Sequence, residues 1–496
     1  LFGVFSTPLR GEPVSRHTLG DPQRPFQGDR SPGVRGGRMQ EDAWSWMESL
    51  KSFGYNPSLD NTAILLSRLD QPQHSFPAIH VAGSNGKGTC CAIMANALTL
   101  SGVCTGLFTS PHLISVNERV RVDGSPISDM LFENCLMQIQ EVCQIEPAVS
   151  PTFYEATFLV AMLAFRELGV QRAVIETGLG GRYDATRLVD ADCCVLTEIS
   201  LEHTEILGET LAEIAEEKAA IVRQGRPFIA AWPYDSSVRK TIERTVREHD
   251  KAWWWRGDRL ESVKFSEAVK SYRPLSRKKG YDGWIPFQKE AAMLAKAALH
   301  RVGEFSAHDE IERAIAHTNW PGRMQWIEFQ KTPLLLDCAH NPSGMARACE
   351  QIRLQKTKDM SPMPGVIVIG CTSQKDLGIF LQPLVETIVE GNIGHVYVTQ
   401  PPSGRKEAVD CKILARELQA QGIDAEILAI PEVQEALEKA LQKSIELDNE
   451  LPQPILCIGS VYLIGAILEL IDEEGLMEFQ NILITPKGED GIDPIA

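Results

Sequence analysis

Between His80 and Leu98 the chain reads HVAGSNGKGTCCAIMANAL, and within it Gly83, Ser84, Asn85, Gly86, Lys87, Gly88 and Thr89 could cradle a phosphate chain. Glycines let backbone N–H groups approach an anion closely, the helix expected from about Thr89 turns its positive dipole end toward it, and Lys87 adds a point charge. Thr89 could place its hydroxyl oxygen on Mg²⁺. The stretch departs from the common nucleotide loop G-x-x-x-x-G-K-[ST], because Val81 stands where the first glycine belongs and Gly88 separates Lys87 from Thr89. A plain tight turn fits the glycines alone; Lys87 and Thr89 together point to a triphosphate.

Further groups could act with that loop. Glu176 ends an apolar run at the carboxyl edge of an expected strand, where ligands bind in open α/β sheets. A carboxylate there suits a hard divalent cation, and equally a strand end satisfied by backbone donors. The Gly178–Gly181 turn and Arg182 could close around a ligand, and an ordinary glycine turn fits them too. By spacing alone, His203 is a turn histidine and Lys218 a solvated helix residue paired with an acid one turn away. Arg323 follows a Pro-Gly break and could grip phosphate oxygens in bidentate fashion, while Asp337 and His340, at a strand exit, could face the first loop across a cleft. A surface arginine and an ordinary turn aspartate fit these positions too. The stretch GCTSQKD, 370–376, lacks the Asn of a guanine-binding N-K-x-D signature.

These residues need strands and helices to hold them. AIHVA, 78–82, reads as a buried strand running into the glycine loop, and the following helix keeps Cys91, Met94, Ala95 and Leu98 on one face until Gly102 stops it. Helix FLVAMLAFRELG, strand RAVIET, strand DCCVLTEI and helix TLAEIAEEKAAIVRQG continue the alternation, which predicts a mostly parallel sheet covered on both faces. A second series, MQWIEF, TPLLLDCA, GVIVIG, HVYVTQ, AEILAI and PILCIG, predicts a smaller α/β domain. The break HTNWPGR, 317–323, is the expected hinge.

Composition sets the frame. A chain of 496 residues suits two or three domains, and two are expected here. A net charge of -17 disfavours attraction to nucleic acid or an anionic membrane, so an anionic ligand must be held by local cations. The 12 cysteines include no C-x-x-C, a pattern of a reduced cytoplasmic protein rather than of a disulfide framework or zinc site. The apolar stretch 455–471 is interrupted by Ser460, Tyr462 and Glu469 and is expected to be a strand, a turn and a packed helix, not a membrane span. Residues 1–38, with six Arg, seven Gly, five Pro and no Lys, are expected to be a disordered extension, with Met39 as a plausible start.

Taken in order, SFGYNPSLDNTAILLSRLDQPQ, HVAGSNGKGT, GLFTSPHLISVNERVRVDGSPIS, PTFYEATFLVAMLAF, VIETGLGGRYDAT, LEHTEILGETLAEIAEEKAAI, WPGR, LLDCAHNPSG and IGSVYLIG resemble the folylpolyglutamate synthase/dihydrofolate synthase family of the Mur ligase superfamily. The resemblance runs from about Met39 to near the C-terminus. It implies a P-loop-type, mostly parallel sheet ATPase domain over 39–320 and a smaller Rossmann-like domain over 321–496. It implies an ATP-dependent ligase in which MgATP phosphorylates a carboxylate and the amine of L-glutamate displaces phosphate. The acceptor would be dihydropteroate or a reduced folyl-(poly)glutamate. Gly83 to Thr89, with Arg323, Asp337 and His340, would bind the nucleotide. Thr89 and Glu176 would hold one Mg²⁺, and Glu176, His203 and an N-carboxylated Lys218 a second, so that the resemblance replaces the bland readings of His203 and Lys218. Lys87, Lys218, His203 and Arg323 would be catalytic. Ser110, Pro111 and His112, with Phe153 and Glu155, would line the pterin pocket.

The sequence departs from that pattern in three places. Glu202 precedes His203 where Asp is usual. PFQKEA keeps Gln288 but has Ala291 where an Asn should meet adenine, and 251–284 matches poorly and receives no role. Asn85, where many dedicated polyglutamate synthases carry Lys, points to the bacterial bifunctional type. Two alternatives stand beside this one: another Mur-type amino acid ligase, and a nucleotide-binding homologue that lost catalysis. Against the first, the loop comes only about 40 residues after Met39; against the second, Arg323, Asp337 and His340 have little use in a mere binder. The expected protein is monomeric and cytoplasmic, with small-molecule substrates and no nucleic-acid or membrane partner.

Overall fold

The computed structural model describes residues 42–482, apart from 53, 55–56, 250, 257–258, 263–285, 304–307, 358–362, 403, 405–406, 449–450 and 473–481. The extension 1–38 lies outside the described residues. So does most of 251–284, and Gln288 is described by its backbone alone. Residues from Ala43 onward gather into one compact unit.

Among the described residues, nine strands form the first sheet: β1 (Ala78–Ala82), β2 (Thr105–Phe108), β3 (Val120–Val122), β4 (Ser125–Pro126), β5 (Arg172–Glu176), β6 (Ala191–Leu196), β7 (Phe228–Ala231), β8 (Ala252–Arg256) and β9 (Arg259–Ser262). Their order is β4-β3-β2-β5-β1-β6-β7-β8-β9. The six central strands, β2 through β8, run parallel, while β3, β4 and β9 add antiparallel edges. Side chains alternate across the sheet with period two. Ile79, Val81, Val174, Cys193 and Val195 pack under the helices Lys87–Leu100, Pro286–Val302 and His308–His317. Ala78, Ala82, Ile175, Cys194 and Leu196 pack on the opposite face with helices Asp129–Cys143, Phe153–Glu167 and Leu211–Ala219. Burial on both faces is why these strands read as continuous apolar runs.

The second sheet contains β10 (Gln325–Phe329), β11 (Thr332–Asp337), β12 (Val366–Ile369), β13 (His395–Val398), β14 (Glu426–Ala429) and β15 (Ile455–Ile458), ordered β10-β11-β15-β12-β13-β14. All but the β10–β11 pair are parallel. The run 455–471 is β15, a Gly459-Ser460 turn and the helix Val461–Asp472, as its interruptions predicted. No described helix is long and apolar enough to cross a membrane. All twelve cysteines are free thiols.

One element was not expected. Lys251 leads into β8, whose Trp254 is buried at 2% exposure and packs edge-on against Trp232 at 5.7 Å. The Arg256 guanidinium covers the same Trp232 ring at 4.4 Å, and Arg301 covers Trp253 at 4.0 Å. Guanidinium groups stacked on indole faces cover part of the apolar surface of a tryptophan-rich strand near the sheet margin.

The parallel order fixes where the site must be. The loops leaving the carboxyl ends of β2, β5, β1 and β6, four adjacent strands, carry Ser110 to His112, Glu176, the glycine loop, and Glu198 to His203 respectively.

Candidate active site

The glycine loop turns directly off β1 into the helix Lys87–Leu100, whose N-cap is Gly86 at φ +85°. Gly83, at φ +142°, lies against Thr197 so closely that a β-carbon would overlap the Thr197 hydroxyl. Only glycine serves there. The first turn of the helix carries no acidic residue, leaving its N–H groups and dipole end for an anion. Lys87 Nζ folds back over the loop, donating to the Gly83 carbonyl at 3.0 Å and the Ser84 carbonyl at 3.1 Å. It stands 4.0 Å from Glu176. Register pairs Glu176 on β5 with Val81 on β1, so the carboxylate sits beside the start of the loop, 4% exposed. Burial pushes its carboxyl up to about 7 against the opposing pull of Lys87, the Ser110 amide and Arg323.

Lys218 corrects the reading from spacing. It is 2% exposed rather than solvated, and its acid is no helix neighbour: Nζ donates to Glu202 at 2.8 Å and to the Gly83 carbonyl at 2.8 Å. One carbonyl oxygen thus accepts from both Lys87 and Lys218. Burial lowers the Lys218 amine from its ordinary range, although Glu202 pulls the other way. His203 follows in the same loop as a left-handed N-cap residue at φ +47°, its Nδ1 4.0 Å from Glu205.

The loop after β2 reaches the same point. The Ser110 amide donates to Glu176 at 3.3 Å, ahead of a cis Ser110–Pro111 peptide. Beyond it, Glu118 accepts from the amides of Leu113, Ile114 and Ser115 at 2.8–2.9 Å and so fixes the loop's curvature. Arg119 donates to His112 Nδ1 at 3.0 Å and lies over the Phe153 ring at 5.3 Å, with Lys51 over the same ring at 5.2 Å. His112 and Phe153 are therefore one cluster. Burial, with Arg119 and Lys51 adding to it, lowers the His112 imidazole to about 3, so it is neutral at pH 7. Glu155 is different. Its two oxygens accept from Thr62 Oγ1 and the Thr152 amide, each at 2.7 Å, closing a capping box at the start of helix Phe153–Glu167. The carboxylate expected in the pocket thus has both oxygens engaged within the protein, holding the start of the helix that carries Phe153.

From the second sheet, Asp337 ends β11 and accepts from the amides of Met324 and Ala339, both at 2.9 Å, which folds the hinge strand back beside it. Burial raises its carboxyl and Arg323 opposes that. His340 Nδ1 meets the Cys338 carbonyl at 2.9 Å; burial lowers the imidazole, and the charges of Arg323, Glu202 and Lys87 all reach it. A cavity of about 200 Å³ opens among Thr89, Thr318, Asn319, Trp320, Arg323 and Trp326, joining the glycine loop to the hinge. Ala291 is 2% exposed in the core of helix Pro286–Val302.

The structure thus brings together Lys87, Glu176, Lys218, Glu202 and the Ser110 amide, and sets Thr89 and Arg323 around one cavity. Asn85 keeps its place in the loop, but its side chain turns to Glu198, Ser200 and Asn341. Trp320, Arg119, Glu198 and Arg347 were missed as site neighbours. Trp320 and Arg119 lay in matched stretches, Glu198 at the end of the expected strand DCCVLTEI, and Arg347 carried no signal. Among the described residues no three of His, Cys, Asp and Glu cluster as a ready metal cage.

A parallel sheet with an anion-binding glycine loop, joined through an Arg-bearing hinge to a second α/β sheet, defines the Mur ligase class. Residues 81–271 match the Mur ligase middle domain, and residues 322–460 the Mur ligase glutamate ligase domain. Within that class, the chain belongs to the dihydrofolate synthase/folylpolyglutamate synthase family. It is 33% identical over 330 residues to the dihydrofolate synthase/folylpolyglutamate synthase of Bacillus subtilis, covering 63% of this chain and 76% of the relative. It is 29% identical over 435 residues to the dihydrofolate synthetase of Saccharomyces cerevisiae, covering 82% and 96%. The structure of E. coli FolC in complex with DHPP and ADP superposes with a TM-score of 0.71 at 25% identity, covering 88% of this chain and all of that one.

Proposed function

We propose that this chain is an ATP-dependent acid–amino-acid ligase that joins L-glutamate to dihydropteroate, to a reduced folyl-(poly)glutamate, or to both. The observation that carries the proposal is the convergence of Lys87, Glu176 and the Ser110 amide at the carboxyl ends of adjacent strands. A nucleotide loop and a substrate loop there share one carboxylate. On this reading the nucleotide-binding lobe is assigned to 39–320 and the lobe that closes on it to 321–496. The free thiols and charge of -17 support a reducing, cytoplasmic setting.

The γ-phosphoryl group of ATP passes to the substrate carboxylate, the resulting acyl phosphate is attacked by the glutamate amine, and phosphate leaves. Lys87 and the loop amides hold the phosphate chain, and Arg323 neutralises charge that grows on the transferred group. His112, Arg119 and Phe153 offer a neutral imidazole, a guanidinium and an aromatic face to a flat, polar heterocycle. His340 and Asp337 bring the second lobe against the nucleotide, which keeps water from the acyl phosphate.

The residues fit Mg²⁺. Glu176 is a buried carboxylate that the chain's own cations only partly compensate, and Thr89 offers a hydroxyl at the helix start. When bound, the ion screens phosphate charge. Lys218 is a buried amine whose hold on its proton is weakened by burial, and once deprotonated such an amine adds CO₂ with loss of a further proton. The carbamate so formed adds hard oxygen donors near Glu176 and His203.

The test supplies MgATP, L-glutamate and either dihydropteroate or tetrahydrofolate, and follows ADP release with product mass. Substrate-dependent ADP release with a product heavier by one glutamyl residue is expected. No such release with either pterin would sink the proposal.

A further inference from the structure

Asn85 sits in the phosphate loop, yet its side chain is committed elsewhere. Nδ2 donates to Glu198 at 3.1 Å and to Ser200 at 3.2 Å, and Oδ1 accepts from Asn341 Nδ2 at 3.2 Å. The backbones of Asn85 and Glu198 form an isolated antiparallel bridge. Asn341 belongs to the second lobe, where its Oδ1 accepts the Gly344 amide at 2.7 Å and caps helix Pro342–Thr357. Two more groups of that helix reach across. Arg347 meets Glu198 at 2.6 Å and lies 3.9 Å from Glu290, and Ser343 Oγ donates to Glu198 at 3.4 Å. Glu198 is thus the meeting point of three partners, one on the phosphate loop and two on the helix of the second lobe.

We propose that Glu198 and Arg347 form a latch that couples closure of the second lobe to the shape of the phosphate loop, with Asn85 as the link between them. These are positioning residues: they act through the backbone of the loop and touch no reacting atom. The geometry gives the coupling a direction. When the helix withdraws, Arg347, Ser343 and Asn341 leave together, and Glu198 and Asn85 lose their cross-lobe partners in one step. A partly buried ion pair alone contributes little. Here it shares an acceptor with neutral hydrogen bonds, so the set breaks cooperatively. The functional consequence is that closure, not only nucleotide contact, sets the loop for transfer, and an unlatched enzyme lets water reach the acyl phosphate.

The coupling part rests on the proposed ligation, so the test has one readout that does not. Variants E198Q, R347M and the double variant are compared with the unaltered chain for ADP release per amide formed, for kcat and KM, and for the ADP dissociation rate. The ratio should rise from near one in each single variant, and kcat should fall about threefold to tenfold with KM for ATP moving less. The double variant should be no worse than either single one, because each breaks the same set. R347K should recover part of the loss. ADP should leave about threefold to tenfold faster in all latch variants, a result that supports the latch even if no pterin is a substrate. An unchanged ratio together with additive losses and an unchanged ADP off-rate would overturn the latch. If R347M does not fold, E198Q carries the same comparisons, since it keeps the shape and one acceptor oxygen.

Discussion

The Nζ of Lys218 lies 2.8 Å from the carboxylate of Glu202, with side chains only 2% and 8% exposed. Such a pair, next to the phosphate loop, is a poor stabiliser, because desolvation offsets most of its attraction. Its placement suits a lysine that changes form. Lys218→Ala is expected to abolish ligation, and added short carboxylates such as formate or acetate to restore part of it. Initial rates with and without the carboxylate measure this; full activity of the variant alone would refute the carbamate.

Arg323 is the cation whose charge reaches Glu176, Asp337 and His340. Replacing it with alanine should lower kcat about 10²-fold to 10³-fold, the range for losing one preorganised transition-state contact. Arg323→Lys should recover little, since a point charge cannot make the bidentate contact. Steady-state ADP release checks both.

Gly88 and Trp320 form a steric pair across the hinge. A β-carbon on Gly88 would stand 2.7 Å from the indole Nε1, and Arg121, over the Trp320 ring at 5.5 Å, keeps the indole from swinging away. Gly88→Ala should weaken ATP binding by about tenfold through overpacking. Adding Trp320→Ala should return part of that loss, which calorimetric titration of the single and double variants would show. Losses that simply add would mean the two do not interact.

For Glu155, capping and substrate contact predict different outcomes. Glu155→Gln weakens the bonds to Thr62 and the Thr152 amide and should cost about 1–2 kcal/mol of stability. Turnover per folded molecule and KM for the pterin should stay within about twofold, because both carboxylate oxygens are already engaged within the protein. A large rise in KM without loss of thermal stability would restore it to the pocket.

His80, buried in β1 with Nε2 2.8 Å from the Thr186 hydroxyl, is held neutral: burial, with Arg187 adding to it, lowers its imidazole to about 3. The unfolded chain takes up this proton near 6.5 and the folded chain does not. Its contribution is therefore fully present above pH 6.5 and is lost as pH falls toward 3, at up to about 1.4 kcal/mol per pH unit. His80→Gln should flatten this slope between pH 6.5 and 5, as read from urea unfolding at each pH. An equal slope in both proteins would mean His80 does not set it.

Much of the fold was legible because each segment declares its own environment. AIHVA, RAVIE and ADCCVL are apolar on both faces, which only a covered parallel sheet accommodates, and the interrupted run 455–471 separates into β15 and its helix at Gly459-Ser460. The glycine loop was legible for the same local reason. A strand, three glycines, Lys87 and a helix start lie within a few residues, and their chemistry needs no distant partner.

What lay beyond the sequence were the relationships between segments far apart in the chain. Spacing alone put Lys218 in solvent with an acid one turn away, whereas packing buries it against Glu202 and the Gly83 carbonyl, 135 residues off. Glu155 was expected in the pocket from the segment it belongs to, and only the folded chain shows that Thr62 and the Thr152 amide engage both its oxygens as a helix cap. Asn85 and Arg347 carry nothing in their local pattern that joins them; only the order β5-β1-β6 and the docking of the second lobe bring both to Glu198. Local composition fixes which backbone conformation and which chemical group stand at a position. Burial, pairing and proton affinity depend on which groups are brought to it from elsewhere, and that is settled only when the sheets close on one another.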